Sequence, residues 1–116
     1  MSDAPVGSEG VLLKGRLVRP DALRIEGRQT AQLLLRRSES PEKFYPAEAR
    51  RKGLDGIVTL DLLINTEGFV VEAQVISESP AGEGFGLAAL DVAKTYEYFN
   101  ALKRQVLMAV TVEFLP

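Results

Sequence analysis

The chain has 116 residues, 46% of them hydrophobic and 26% charged, with a formal net charge of -2. That suffices for one domain with a modest core, and the charge is not that of a protein built to hold a polyanion. There is no cysteine and no histidine, which excludes disulfides, thiol nucleophiles, Cys/His zinc sites and a histidine general base.

No apolar run approaches the roughly 20 residues of a membrane-spanning helix. The start, Met1-Ser2-Asp3-Ala4-Pro5, lacks the basic and apolar stretches of a secretory signal. The sequence as given therefore reads as soluble, either free-standing or a piece of a longer protein. Residues 1–10 are small and polar and are expected to form a mobile tail. Residues 11–18 and 23–25 carry apolar residues interrupted by Gly15, Pro20-Asp21 and Gly27, which predicts two short strands with a turn at Pro20-Asp21. The run Leu33-Leu34-Leu35 is too short to separate helix from strand. Residues 11–40 together read as a β-leaning N-terminal extension.

Ser40-Pro41 predicts a capped helical turn with proline at its first position. Tyr45-Pro46 then opens a short helix through Lys52. Arg50, Arg51 and Lys52 suit its C-terminal end, and Gly53 is its stop. Residues 57–64 alternate as a strand, with Val58, Leu60, Leu62 and Ile64 on one face and Thr59 and Asp61 on the other, toward water. Asn65-Thr66-Glu67-Gly68 predicts a turn with a left-handed glycine, and residues 69–77 return as a second strand. After a Gly-rich loop, the stripe Phe85, Ala89, Val92, Tyr96 and Phe99 predicts a long helix from Phe85 to about Leu102. Residues 106–114 alternate again as a last strand.

These elements predict an α+β fold: a three-stranded antiparallel-type sheet in β-β-α-β order with one long helix on a face, a short N-terminal helix and a possible β extension. A helix of about 17 residues is roughly 25 Å long and can return the chain to the first strand. The right-handed crossover rule then gives the sheet order second, first, third. The last strand is left outermost, with unpaired N–H and C=O groups along one side. Natural edges are blunted by charge, proline or bulges, yet residues 107–112 contain neither charge nor proline. Either another part of the chain or a second copy covers that edge, or an extended peptide does. The expected partner-binding residues are Val106, Leu107, Met108, Ala109, Val110, Thr111, Val112, Glu113 and Phe114, acting through their backbone. A strand within residues 11–25 is an internal candidate for capping them.

The order and spacing of Tyr45-Pro46, Ala49, Gly53, Gly56, Val58, Gly68, Val70, Val75, Ser79, Phe85, Ala88-Ala89, Phe99, Val110 and Phe114 resemble the C-terminal domain of the TonB energy-transducer family. The resemblance implies a domain at residues 41–116 with Tyr45 and Pro46 as family-motif residues. It implies no catalytic residues, no metal and no cofactor. It also implies a place on the periplasmic side of Gram-negative cells, anchored in the inner membrane if the parent chain is longer. The implied partners are the peptide box of a TonB-dependent outer-membrane receptor and, through such an anchor, the ExbB–ExbD motor; nutrient transport is the implied process. The link after Phe99, Asn100-Ala101-Leu102-Lys103-Arg104-Gln105, is shorter than in many family members. The alternative function is a structural or assembly module whose last strand closes a homodimer.

Other candidates are weaker. Gly82-x-Gly84-x-Gly86 precedes a helix as phosphate loops do, but Glu83 would repel phosphate and no lysine follows. Arg36-Arg37, Arg50-Arg51-Lys52 and Lys103-Arg104 read first as solvated charge, and no aromatics interleave with them as nucleic acid would require. Tyr45, Tyr96, Tyr98 and Phe99 read as core before they read as a ligand platform. Asp55, Asp61, Glu67 and Glu72 are expected to face water without pairing, so no acid–base constellation is named.

Overall fold

The strand built on Val58, Leu60, Leu62 and Ile64 lies at the centre of the molecule. A computed structural model describes residues 10–116. Its elements are strands β1 (Leu12–Leu13), β2 (Leu23–Arg24) and β3 (Leu33–Arg37), helix α1 (Ala47–Arg51), strands β4 (Gly56–Ile64) and β5 (Val70–Ser79), helix α2 (Phe85–Ala93), and strands β6 (Glu97–Asn100) and β7 (Val106–Phe114). Gly27–Gln32 and Pro41–Phe44 are 3₁₀ turns. The main sheet has five strands in the order β1-β5-β4-β7-β2, and β3 and β6 form a separate two-stranded ribbon.

The hairpin β4–β5 is antiparallel, as predicted, and its turn is built by Asn65, whose Oδ1 accepts from the N–H groups of Glu67 (3.0 Å) and Phe69 (2.9 Å). Gly68 sits at φ 95°. Its carbonyl accepts from Tyr98 N–H at 2.8 Å, so backbone meets backbone where a side chain would stand. Helix α1 starts after Tyr45-Pro46 and ends at Gly53 (φ 70°), and Ser40 caps the turn at Pro41 through Glu42 N–H at 3.2 Å. The turn at Pro20-Asp21 is closed by Ala22 N–H on the carbonyl of Arg19 at 3.0 Å.

The core lies between the sheet and α2. Phe85 from α2 and Phe114 from β7 pack with their rings tilted by 41° and centroids 5.2 Å apart, and Tyr45 meets each ring edge-on at 5.8 Å. Gly56 is the floor of this cluster, because a Cβ there would run into the Phe85 ring. Ile25 and Leu33 from the N-terminal extension are buried in the same core, so the extension completes the hydrophobic centre.

Two fold expectations need correction. The sheet has five strands rather than three, because β1 and β2 add to opposite edges. The helix stops at Ala93 rather than near Leu102. Thr95 ends it: its Oγ1 donates to Val92 C=O at 2.7 Å and accepts from Glu39 N–H at 2.9 Å. The β-favouring residues Tyr96, Tyr98 and Phe99 then enter a strand segment, and Phe99 is half exposed instead of extending the helix stripe. The mobile-tail expectation lies outside the described residues except for Gly10, whose carbonyl accepts a hydrogen bond from Ala81 N–H.

The short link after Phe99 is organised by one side chain. Asn100, 5% exposed, accepts from Leu102 and Lys103 N–H through Oδ1 and donates through Nδ2 to the carbonyls of Asn65 and Arg104. Asn100→Ala strands those groups and is expected to lower stability by about 2–3 kcal/mol, read as a lower urea midpoint at unchanged slope. A midpoint equal to that of the wild type would show that water replaces the amide at no loss.

Candidate functional site

The sheet edges differ in how they are protected. On β5, β1 pairs at Glu78 and Ser77, Lys14 N–H bonds to Ile76 C=O at 2.7 Å, and two register irregularities interrupt the ladder to β4. On the ribbon, β3 carries a bulge between Leu35 and Arg37 and ends in Arg36-Arg37. Strand β7 has no bulge. It pairs with β4 in unbroken register from Gly56↔Phe114 to Ile64↔Val106.

The outer side of β7 is divided. Leu23 N–H bonds to Gln105 C=O and Ile25 N–H to Leu107 C=O, each at 2.9 Å, so β2 runs parallel beside the first turn of the edge. Because successive residues of a strand direct their N–H and C=O to opposite sides, Leu107 facing outward places Ala109, Thr111 and Glu113 outward too. Val106, Met108, Val110, Val112 and Phe114 face β4. Among the described residues no strand lies beside the stretch from Ala109 to Glu113. The nine-residue expectation thus resolves into three kinds of residue. Val106, Met108, Val112 and Phe114 are buried, and Val110 is half-buried against the same core. Leu107 is taken by β2. Ala109, Thr111 and Glu113 hold the open hydrogen-bonding groups. The edge runs from Ile25 at one end to the 3₁₀ turn Pro41–Phe44 near Glu113 at the other, where Ser40, Glu42, Glu113 and Leu115 line an open depression of about 360 Å³.

The family-motif pair lies below this edge and not on it. Tyr45 packs under Phe114, donates its hydroxyl to Leu54 C=O, and carries the Arg50 guanidinium 4.6 Å above its ring. Pro46 precedes the first turn of α1 and stands against Gly84.

The N-terminal extension behaves as a strap over the sheet face opposite α2. It leaves β1, crosses at Arg16-Leu17 and reaches β2, and Leu17 packs on Leu63 and Leu107. Its anchor is Asp61, fully buried on β4. Arg16 Nε (2.9 Å), Arg24 Nη1 (2.7 Å) and Leu17 N–H (2.9 Å) converge on that carboxylate. Burial alone would raise its pKa, but the Arg24 and Arg16 hydrogen bonds and the Leu17 N–H outweigh that and hold it well below the usual carboxylate range. This corrects the expectation that Asp61 faces water. The sequence signal was present: one acid inside an apolar strand, and two arginines eight positions apart in the extension. Glu72, also expected to be unpaired, holds Arg19. The internal-cap expectation is met only at Gln105 and Leu107.

The remaining candidates resolve locally. Gly84 (φ 89°) is the N-cap of α2, and the Glu78 carboxylate sits against Gly86, so an acid of the chain itself occupies the start of the helix. Arg37 pairs with Glu97 at 3.9 Å, Arg50 with Glu42 at 3.8 Å and Lys52 with Glu83 at 3.2 Å, which makes these clusters solvated charge. Tyr98 is buried, and that burial raises its pKa; Tyr96 meets it edge-on at 6.1 Å. Among the described residues no helix is long and apolar enough to cross a membrane.

The family model described as Gram-negative bacterial TonB protein C-terminal matches residues 41–115. No curated protein matches the chain. The matched span contains the resemblance seen in the sequence and covers well over half of the 116 residues, so the chain belongs to the TonB C-terminal domain family, a transport-associated family of Gram-negative bacteria.

Proposed function

We propose that this chain is the periplasmic receptor-binding domain of a TonB-like energy transducer, and that it captures an extended segment of an outer-membrane receptor as an added strand on β7. The observation that carries this reading is the contrast between edges. Both β5 and β7 carry a two-residue strand at one end, but β5 and β3 are also bulged, whereas β7 keeps a regular ladder and, among the described residues, no strand lies beside Ala109 to Glu113. An unblunted edge attracts another backbone, and strand addition supplies affinity through main-chain hydrogen bonds. From Ala109 to Glu113 the edge spans about 13 Å, which suits a guest of about five residues. The family supplies the partners, a TonB-dependent receptor and the Exb system. Engagement of ExbB–ExbD belongs to an anchored parent chain. The work of such a domain is binding and the transmission of force, without bond chemistry.

Thr111 is the residue to change, because its N–H faces outward while that of Val110 serves the ladder to Leu60. A proline is tolerated where the lost N–H faces solvent on an edge strand. Thr111→Pro is expected to keep the melting profile and monomer mass and to weaken a receptor-box peptide at least about tenfold, measured by calorimetry beside light scattering. Unchanged affinity overturns the reading. A wild-type dimer that Thr111→Pro converts to a monomer replaces it with the homodimer module.

A further inference from the structure

We propose that the outer face of the β3–β6 ribbon docks on an anionic lipid surface; this does not rest on strand addition at β7. Register places three apolar side chains on that face. Leu34 is the partner of Phe99 across the ribbon, and Phe69 bridges to Glu97, two residues before Phe99 and on the same side of β6. Opposite and diagonal residues on one sheet face lie within about 8 Å of each other, so the three form one patch. Leu34, Phe69 and Phe99 are 63%, 48% and 52% exposed, whereas Leu33, Tyr98 and Asn100, which alternate with them, are buried. The ribbon is therefore amphipathic. Leu33 and Tyr98 complete the core on one side, and the other side offers apolar groups outward.

Cations flank the patch at both ends. Arg36 and Arg37 end β3 on one side. Lys103 and Arg104 lie on the link after β6 at the other, which Ala101 N–H ties to Gln32 C=O at 3.1 Å. All four are exposed. The carboxylates on these strands and on the turn before Phe69 are Glu97 and Glu67. Glu97 is taken by Arg37 at 3.9 Å. Among the described residues no carboxylate forms an ion pair with Arg36, Lys103 or Arg104. The ribbon is thus positive on a chain whose net charge is -2. These features choose among occupants. The bulge between Leu35 and Arg37 and the charges beside it blunt the ribbon edge against a strand from another protein. A second copy on the same face would set cation against cation, because both ends are positive, and like charges across an interface oppose association. An anionic lipid layer accepts both parts. Its phosphates meet the four cations while Leu34, Phe69 and Phe99 enter the acyl boundary.

The test sediments the full chain with vesicles of phosphatidylglycerol and phosphatidylcholine in equal parts, beside vesicles of phosphatidylcholine alone. Binding to the mixed vesicles is expected to be at least about tenfold tighter than to the neutral ones and to weaken as salt rises. Arg36→Gln and Arg104→Gln are each expected to lower it about fivefold, and Phe99→Ser about tenfold. Leu87→Ser, which removes a more exposed side chain from α2, is expected to change nothing. The chain has no tryptophan, so Phe99→Trp reports insertion directly, as a blue shift of its emission on the mixed vesicles only. Absence of binding to either vesicle overturns the proposal. So does equal binding to both, or binding that Phe99→Ser and Arg36→Gln leave unchanged. A dimer that Phe99→Ser dissociates, without vesicle binding, gives the face to a second copy instead. Should Phe99→Ser melt early, Leu34→Ser on the facing strand and the Phe99→Trp emission decide.

Discussion

At neutral pH, Asp61→Asn is expected to lose about 3–5 kcal/mol of stability, since breaking a buried ion pair leaves the remaining charges unmatched. Asp61 receives two arginines and a backbone N–H at full burial. The loss depends on pH with a definite sign. The carboxyl is lowered from its usual 3.8 in the folded state, so the folded chain holds this proton less tightly than the unfolded chain does. The contribution is therefore complete above the ordinary carboxylate range and falls away as pH drops through about 4 toward the lower folded value. Wild type should lose stability steeply from about pH 5 downward, and Asp61→Asn should lose less over the same interval. Urea midpoints for both proteins across that range test this. Parallel curves would mean that the clasp contributes nothing to acid sensitivity.

Gly68→Ala is expected to destabilise by more than about 3 kcal/mol, while Gly53→Ala should lose only about 1 kcal/mol. Both glycines have positive φ, 95° and 70°, but a Cβ at Gly53 meets open space whereas one at Gly68 overlaps the Tyr98 carbonyl oxygen. That obstacle is backbone and cannot swing aside as a side chain would. Relief requires the β4–β5 turn to part from β6, which breaks the Tyr98 N–H bond to Gly68. Thermal melts of the two variants measured together isolate the overlap from the shared φ strain. Equal shifts would show that the turn moves freely.

What was legible in the sequence is what local chemistry decides. Alternation in residues 57–64, the asparagine and glycine of the following turn, Tyr45-Pro46 before a short helix and Gly53 after it all act within a few residues, and the structure holds each. The order of the three main strands followed from connection rules. What escaped depends on distant partners. Tyr96 and Phe99 fit a helix stripe by spacing, but β6 exists because β3, about 60 residues earlier, lies beside it. Asp61 looked solvated because its ligands come from Arg16 and Arg24, more than 35 positions away. The last strand is not outermost as its order predicted: β2 lies beside its first residues, and Ile25 takes the carbonyl of Leu107.

The strap carries a mechanical consequence. Its attachments follow one another along the chain: β1 on β5, then Arg16 and Leu17 on Asp61, then β2 on β7. Tension entering from the N-terminal side loads these fastenings in series, beginning with the two-residue β1. The long β4–β7 ladder bears load only after the earlier ones have yielded. The extension thus forms a set of sequential fuses that must give way before the β4–β7 pair is loaded.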